Sequence, residues 1–333
     1  MRAVLCRQFG PVSDLRLEDI DPPVPDAGGL VIRVEACGVN FYDGLAVEGK
    51  YQTKPAFPFV PGGEVAGTVD SVADGVQGFH AGQRVLAFTG FGGYAERVAV
   101  DAGNVFPIPE KMDFASAAAF PIAYGTSCHA LKDRAQLRSG ETLLVLGAAG
   151  GVGLTALELG REMGARVIAA ASSEEKLALC RSYGAHETIN YTKDDLREQV
   201  KKLTEGRGVD VVYDPVGGKL APLALRSLAP FGRYLVIGFA SGEIPQLPFN
   251  QLLLKQVAVM GVLWGVSARM DPAGNARNMA ELLAWYEAGR IKPHVSETYP
   301  LSRYDEALGR VMERAAKGKV VIVQDRIRTR KQA

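Results

Sequence analysis

The run Leu143-Leu144-Val145-Leu146-Gly147-Ala148-Ala149-Gly150-Gly151-Val152-Gly153 holds the residues whose chemistry is easiest to read from type and spacing. An apolar stretch with strand character enters a glycine-rich turn. A helical pattern begins at once, with Leu154, Leu157, Leu159 and Met163 as its apolar members. Small residues at such a turn let the backbone approach a pyrophosphate, and the helix start presents unbonded N–H groups to it. A dinucleotide fingerprint would place glycines at 148, 150 and 153. Here the first is Ala148, while Gly150 and Gly153 are kept. Gly150 would let the backbone meet the pyrophosphate, and Gly153 would permit close helix–strand packing. The candidate cofactor contacts at the turn are Ala149, Gly150, Gly151, Val152 and Gly153. A plain strand-to-helix turn would share much of this pattern, so the turn alone names no reaction.

The next strand selects the nucleotide. It reads Arg166-Val167-Ile168-Ala169-Ala170-Ala171 and continues Ser172-Ser173-Glu174-Glu175-Lys176. A site for NAD usually ends this strand in an acidic residue that accepts from the ribose 2′-OH. Here Ala171 and Ser172 stand there instead. A carboxylate would repel a 2′-phosphate, whereas the Ser172 and Ser173 hydroxyls and the Lys176 cation would bind one. The residues therefore point to NADPH.

The elements that must position these groups follow from the surrounding pattern. Strands are predicted at 142–146, 166–171, 187–190, 209–213, 233–238 and 256–263, with helices between the first five. Val209-Asp210-Val211-Val212-Tyr213 and Tyr234-Leu235-Val236-Ile237 have the continuous apolar character of strands buried on both faces. Regular βαβ alternation implies a doubly wound parallel sheet. Residues 1 to about 120 read differently, as short strands at 28–36, 63–69 and 84–88 separated by proline and glycine, the grammar of a β-rich, barrel-like domain. Asp113 is placed to cap a helix over 114–120, and a second helix is predicted from about Tyr124 to Ala135. After Gly265, a helix near 275–288, a strand near 295–299, a helix near 304–316 and the strand Lys319-Val320-Val321-Ile322-Val323 do not extend the nucleotide sheet. This C-terminal piece is expected to return to the first domain. The predicted division is 1–122 with 266–333 for the β-rich catalytic domain, and 123–265 for the NADPH-binding domain.

The bulk numbers narrow the class. A chain of 333 residues, 47% hydrophobic and 23% charged, reads as a globular protein with room for two domains. Lys plus Arg is 38 against 37 acidic residues, a balance that gives no support for a nucleic-acid or membrane-surface partner. The basic tail Arg326-Ile327-Arg328-Thr329-Arg330-Lys331 reads as a solvated terminus. Cys6, Cys37, Cys128 and Cys180 form no CxxC pair and indicate neither a zinc knuckle nor a disulfide framework. No signal-peptide core follows Met1, and no segment approaches the roughly 18 uninterrupted apolar residues of a membrane span. A reducing cytoplasm is the expected setting.

The order of several motifs resembles the zinc-free quinone oxidoreductase branch of the medium-chain dehydrogenases/reductases over nearly the whole chain. The carriers are Ala36-Cys37-Gly38-Val39-Asn40-Phe41-Tyr42-Asp43, Pro61-Gly62-Gly63-Glu64-Val65-Ala66-Gly67, Gly82-Gln83-Arg84-Val85, Gly92-Gly93-Tyr94-Ala95-Glu96, Tyr124-Gly125-Thr126 and the glycine turn itself. The resemblance implies a GroES-like domain beside a Rossmann domain. Zinc alcohol dehydrogenases of the family carry a cysteine ligand at the place of Asn40 and a histidine ligand at the place of Gly63. Both ligands are absent here, as is the family's four-cysteine structural lobe, so an enzyme without metal is implied. The resemblance also implies that Asn40, Tyr51 and Thr126 lie near the nicotinamide and that Lys176 and Tyr191 contact the 2′-phosphate. Phe239 matches a cofactor-contacting loop position, and Lys319 a further one.

A conjugated acceptor suits such a site, because the charge left by hydride delivery spreads onto the carbonyl oxygen, where hydrogen-bond donors can stabilise it. The expected reaction is hydride transfer from NADPH to a quinone, or to the β-carbon of an enone or enal, with Asn40 and Tyr51 as donors. Enoyl-thioester reduction stays open, since the acceptor depends on pocket shape around Phe41, Tyr42, Tyr124 and Trp264. A crystallin-like or RNA-binding role is the alternative from another class, and the neutral charge balance argues against the latter. The apolar segment 256–263, last in the sheet order, is an edge that invites pairing, and relatives dimerise at such edges, so a homodimer is expected.

Overall fold

The computed structural model describes residues 1–325, so the basic tail at 326–331 lies outside the described residues. The chain divides into two compact units. Met1–Pro121 and the chain from Val295 form the first, and Ile122–His294 the second.

The first unit opens with β1 (Arg2–Leu5) and β2 (Arg16–Asp19), an antiparallel pair. The long β3 (Gly29–Val39) leads into α1 (Phe41–Val47). Then come β4 (Glu64–Val72), β5 (Arg84–Phe88), β6 (Arg97–Asp101), β7 (Val105–Pro107) and α2 (Phe114–Ala118). Asp113 caps α2 as its position suggested, accepting from Ser116 N at 2.8 Å.

The second unit begins with α3 (Pro121–Cys128), which opens into a π-helical turn over His129–Arg134. The parallel sheet and its helices follow as β8 (Thr142–Val145), α4 (Gly151–Glu162), β9 (Arg166–Ala171), α5 (Glu174–Ser182), β10 (Glu187–Asn190), α6 (Leu196–Leu203), β11 (Val209–Asp214), α7 (Leu220–Arg226) and β12 (Leu228–Val236). Next are α8 (Phe249–Lys255), β13 (Ala258–Gly261), α9 (Trp264–Met270) and α10 (Pro272–Glu287). The sheet runs β10-β9-β8-β11-β12-β13 with every pairing parallel. Its order reverses beside β8, the place where doubly wound sheets bind nucleotides. β8 and β11 are buried along their whole length, which is why they read as continuous apolar runs rather than alternating ones.

The chain then returns to the first unit as β14 (Val295–Pro300), α11 (Tyr304–Met312) and β15 (Lys319–Val323). The sheet there runs β14-β15-β3-β4-β5-β7, with β6 also on β3. Antiparallel register pairs Val320 with Val39, and Cys37 with Val65, so the ends of three strands meet.

The predicted return of residue 266 onward to the first unit is corrected. Helices α9 and α10 belong to the second unit, and only the chain from Val295 returns. The reason is packing: Trp264 is buried, its Nε1 donates to Asn275 Oδ1 at 3.0 Å, and Met279 and Leu282 bury the inner face of α10. An amphipathic helix shows which face is buried but not against what. The helix predicted over 124–135 starts three residues earlier and changes to π geometry at His129. β12 starts at Leu228 rather than Arg233, and the predicted 256–263 strand shortens to β13.

Candidate active site

In the first unit, the convergence of β3, β4 and β15 gathers the polar residues at their ends. Lys319 Nζ donates to Asn40 Oδ1 at 2.7 Å, to Glu64 Oε1 at 2.7 Å and to Val39 O at 3.1 Å. Asn40 Nδ2 donates to Glu64 Oε1 at 2.9 Å and to Gly38 O at 3.3 Å. The Lys319 and Glu64 side chains are only 7% and 0% exposed, so the pair is stable there because its hydrogen bonds offset the cost of desolvation. Lys319, for which the resemblance implied a cofactor contact, directs its ammonium to these three oxygens of the protein itself. Asn40 is likewise brought into the cluster, with both amide hydrogens engaged.

Asp43 sits one helical turn further on. Its Oδ2 accepts from Asn40 N at 2.8 Å and from Tyr94 Oη at 3.2 Å, while its buried Oδ1 has no hydrogen-bond partner among the described residues. Burial pushes its carboxyl up to about 7, against the pull of the Asn40 N–H and Lys319 and with further push from Glu64. Tyr42 donates to Gly90 O at 3.0 Å and stacks on Tyr51, with ring centroids 5.1 Å apart. A Cβ at Gly63 would fall on the Tyr42 hydroxyl, so no side chain fits there while Tyr42 holds its place.

Zinc sites draw on at least three His, Cys or carboxylate ligands, and among the described residues no group of three such side chains is placed to hold an ion. Asn40 turns its oxygen to an ammonium, and Gly63 offers no ligand atom.

The second unit builds a cradle mainly from backbone. Gly147 takes φ +55°, the left-handed region that glycine adopts without strain. A Cβ at Gly153 would lie 2.7 Å from Ala148 O, so only glycine lets α4 start this close to β8. The first N–H groups of α4 have no intrahelical partner, and they are the groups a pyrophosphate would use. A buried hydroxyl cluster that the sequence reading missed supports the turn: Ser127 Oγ donates to Val152 O at 3.1 Å and meets Thr155 Oγ1 at 2.8 Å and Tyr213 Oη at 2.9 Å. Scattered single hydroxyls carry no sequence signal, and only the packing of α3 on α4 and β11 joins them. Thr126, beside Ser127 on α3, is half-buried.

The end of β9 assembles the other predicted contacts. Ser173 caps α5, accepting from Lys176 N at 3.3 Å, and Lys176 Nζ lies 3.4 Å from Ser172 Oγ. Tyr191 follows β10, and its N–H donates to Ala171 O at 3.2 Å. Thr192 and Asn190, which the sequence reading missed, fix this corner. Thr192 Oγ1 lies 2.7 Å from Asn190 Oδ1 and 3.2 Å from Ser172 O, and Asn190 Nδ2 donates to Glu174 Oε1 at 2.8 Å. The Asn190 hydrogen bond, with Lys193 nearby, holds the exposed Glu174 carboxyl below its usual range. Phe239 packs beside Gly217, whose Cβ would lie 2.9 Å from its ring. Of the residues named for an acceptor pocket, Tyr124 and Trp264 are buried, and Tyr124 Oη donates to Glu158 Oε2 at 2.6 Å.

Known proteins share this two-domain organisation. The alcohol dehydrogenase GroES-like domain family matches residues 26–110, and the zinc-binding dehydrogenase family matches residues 151–284. The chain is 40% identical to the quinone oxidoreductase-like protein 2 of Bos taurus over 96% of its own length and 92% of that protein. It is 36% identical to the quinone oxidoreductase of Rattus norvegicus, over 97% of this chain and 98% of that one. The quinone oxidoreductase of Thermus thermophilus, solved also in complex with NADPH, superposes with a TM-score of 0.84 at 37% identity, covering 97% and 100% of the two chains. Two domains of the expected types, in the expected order and with this likeness along nearly the whole length, place the chain in the quinone oxidoreductase branch of the medium-chain dehydrogenase/reductase family of oxidoreductases.

Proposed function

We propose that this chain is an NADPH-dependent oxidoreductase that delivers hydride to quinones or to the β-carbon of enones and enals, without a catalytic zinc. The end of β9 carries the coenzyme reading: Ala171 is followed by two hydroxyls, with Lys176 Nζ 3.4 Å from Ser172 Oγ and no carboxylate at the strand end. That set suits a 2′-phosphate and wastes its charge on a bare ribose hydroxyl. Tyr191 completes it, and Ala149, Gly150, Gly151, Val152 and Gly153 would hold the pyrophosphate. When bound, NADPH supplies the hydride. The protein's share is orientation and a donor for the oxygen that gains charge.

We infer the following division of roles within that share. The amide hydrogens of Asn40 are engaged by Glu64 and Gly38, so Asn40 acts by holding Lys319 and Glu64 in place. Tyr51, stacked on Tyr42, is the hydroxyl assigned to the acceptor oxygen, with Thr126 on the nicotinamide side. The metal-free reading rests on Lys319, whose ammonium already supplies the positive charge between Asn40 and Glu64. The edge strand β13, with Val259 38% exposed, supports a homodimer formed by edge pairing. Four buried free cysteines suit a reducing compartment such as the cytoplasm.

The test is NADPH consumption against quinones, enals, enones and enoyl thioesters, each with and without a strong chelator. Turnover of quinones or enones that survives the chelator is expected. Turnover of thioesters alone would make the chain an enoyl-thioester reductase, and loss of activity in chelator would end the metal-free reading. Silence toward every acceptor would leave a nucleotide-binding protein without this activity.

A further inference from the structure

A second constellation of reactive side chains lies in the second unit, apart from the nucleotide cradle. His129, on the π-helical turn, places Nδ1 2.9 Å from Asp133 Oδ2. Its Nε2 lies 2.9 Å from Ser267 Oγ on α9. Asp133 Oδ2 also accepts from Asn278 Nδ2 at 3.0 Å, and Asn278 Oδ1 accepts from Lys132 Nζ at 3.0 Å. Lys132 is held in turn by Glu281. The lysine thus fixes which way the Asn278 amide faces, the amide fixes Asp133, and Asp133 orients the imidazole. The His129 and Asp133 side chains are 13% and 38% exposed, and Ser267 is half-buried, so the hydroxyl is positioned without being sealed in.

With the imidazole proton assigned to Nδ1, toward Asp133, the Nε2 lone pair faces the Ser267 hydroxyl. A hydroxyl on a base that a carboxylate orients is the arrangement that converts a weak oxygen nucleophile into a reactive one. The competing acceptor for Ser267 Oγ is Leu263 O at 3.5 Å, a longer and weaker contact than the imidazole. The π geometry at 129–134 is itself a costly local feature, of a kind that often marks a functional site.

We propose that Ser267 is a base-activated nucleophile that accepts acyl groups from activated donors, namely acyl thioesters and aryl esters. Oγ bonds to the carbonyl carbon while its proton passes to His129 Nε2. The carbon–sulfur or carbon–oxygen bond then breaks, and the leaving thiol or phenol departs with that proton. No electrons are exchanged, and the product is an O-acyl serine. Donors with good leaving groups fit this site, because they need less stabilisation of the oxyanion than an amide does. The assignment uses none of the residues proposed for hydride transfer, so it stands or falls separately from that reading.

The experiment treats the full chain with 4-nitrophenyl acetate, follows nitrophenol release through the first turnover, and locates the acetyl group by peptide mass mapping. Acetyl on Ser267 is expected, with the burst lost in Ser267→Ala and slowed ~100-fold or more in His129→Gln, the usual worth of a positioned base. Thermal unfolding of each variant serves as the folding control. Should a variant fail to fold, labelling of the wild-type chain by a fluorophosphonate, mapped in the same way, decides the matter. Acetyl or phosphonyl on other residues only, or a burst unchanged in Ser267→Ala or His129→Gln, overturns the proposal.

Discussion

The polar cluster of the first unit and the nucleotide cradle of the second solve opposite problems. Around Lys319, charged side chains spend their hydrogen-bonding capacity on one another: three ammonium donors, both amide hydrogens of Asn40 and one oxygen of Glu64 are committed inside the protein. At the glycine turn the backbone rather than side chains shapes the site, and the end of β9 sets hydroxyls and a cation side by side. The first arrangement is rigid and intolerant of loss, since a buried charge without its partner is costly. The second is poised for a ligand that brings its own charge.

That contrast can be broken most forcefully at Lys319. Lys319→Ala would leave Glu64 buried without its counter-charge and should cost about 3–5 kcal/mol, read by chemical denaturation. A loss below about 1 kcal/mol would mean that the cluster is neither rigid nor interdependent.

Asp43 tests the same cluster through pH. Its folded value of about 7 stands above the ordinary 3.8, so the folded chain holds a proton that the unfolded chain has released. This contribution to stability is complete below pH 3.8 and is lost as pH rises through about 7. Its full size is on the order of 4 kcal/mol. Thermal unfolding should therefore fall across that window in the wild type and flatten in Asp43→Asn. Equal slopes in both would place the pH dependence elsewhere, with buried Glu158, also pushed up to about 7, as the next group to remove.

On the cradle side, Lys176→Ala should weaken NADPH by about 10- to 100-fold, the worth of a charged hydrogen bond to phosphate, and leave NADH unchanged. Equal losses for both coenzymes would turn Lys176 into a general structural residue. The smallest effect is expected from Thr192→Val, which removes the hydroxyl between Asn190 Oδ1 and Ser172 O and should cost about 1 kcal/mol of NADPH affinity by loosening the same corner. An unchanged dissociation constant would show that the corner needs no such bracing.

The glycine turn, the parallel strands at 166–171 and 187–190, and the cap at Asp113 were legible because each is a local matter of spacing or backbone freedom. Asn40 and Lys176 were also singled out, the first through the family pattern and the second through its distance from the strand end. What could not be read was the company these residues keep. Asn40, Glu64 and Lys319 are separated by 24 to 279 positions, and only the antiparallel register of β3, β4 and β15 turns them into one cluster. For the same reason the pairing of Lys319 with Glu64 could not be read along the chain.

The sequence by itself determined the two domain types, the nucleotide turn and the absence of a carboxylate at the end of β9, because periodicity, small residues and a missing charge are properties of neighbours along the chain. The tertiary structure alone decided that α9 and α10 belong with the nucleotide sheet, that the hydrogens of Asn40 are already taken, and that Ser127, Thr155 and Tyr213 brace the turn. Such decisions depend on which buried polar groups find partners across long separations. The cost of leaving one unpaired is set by the packed interior and not by the order of residues.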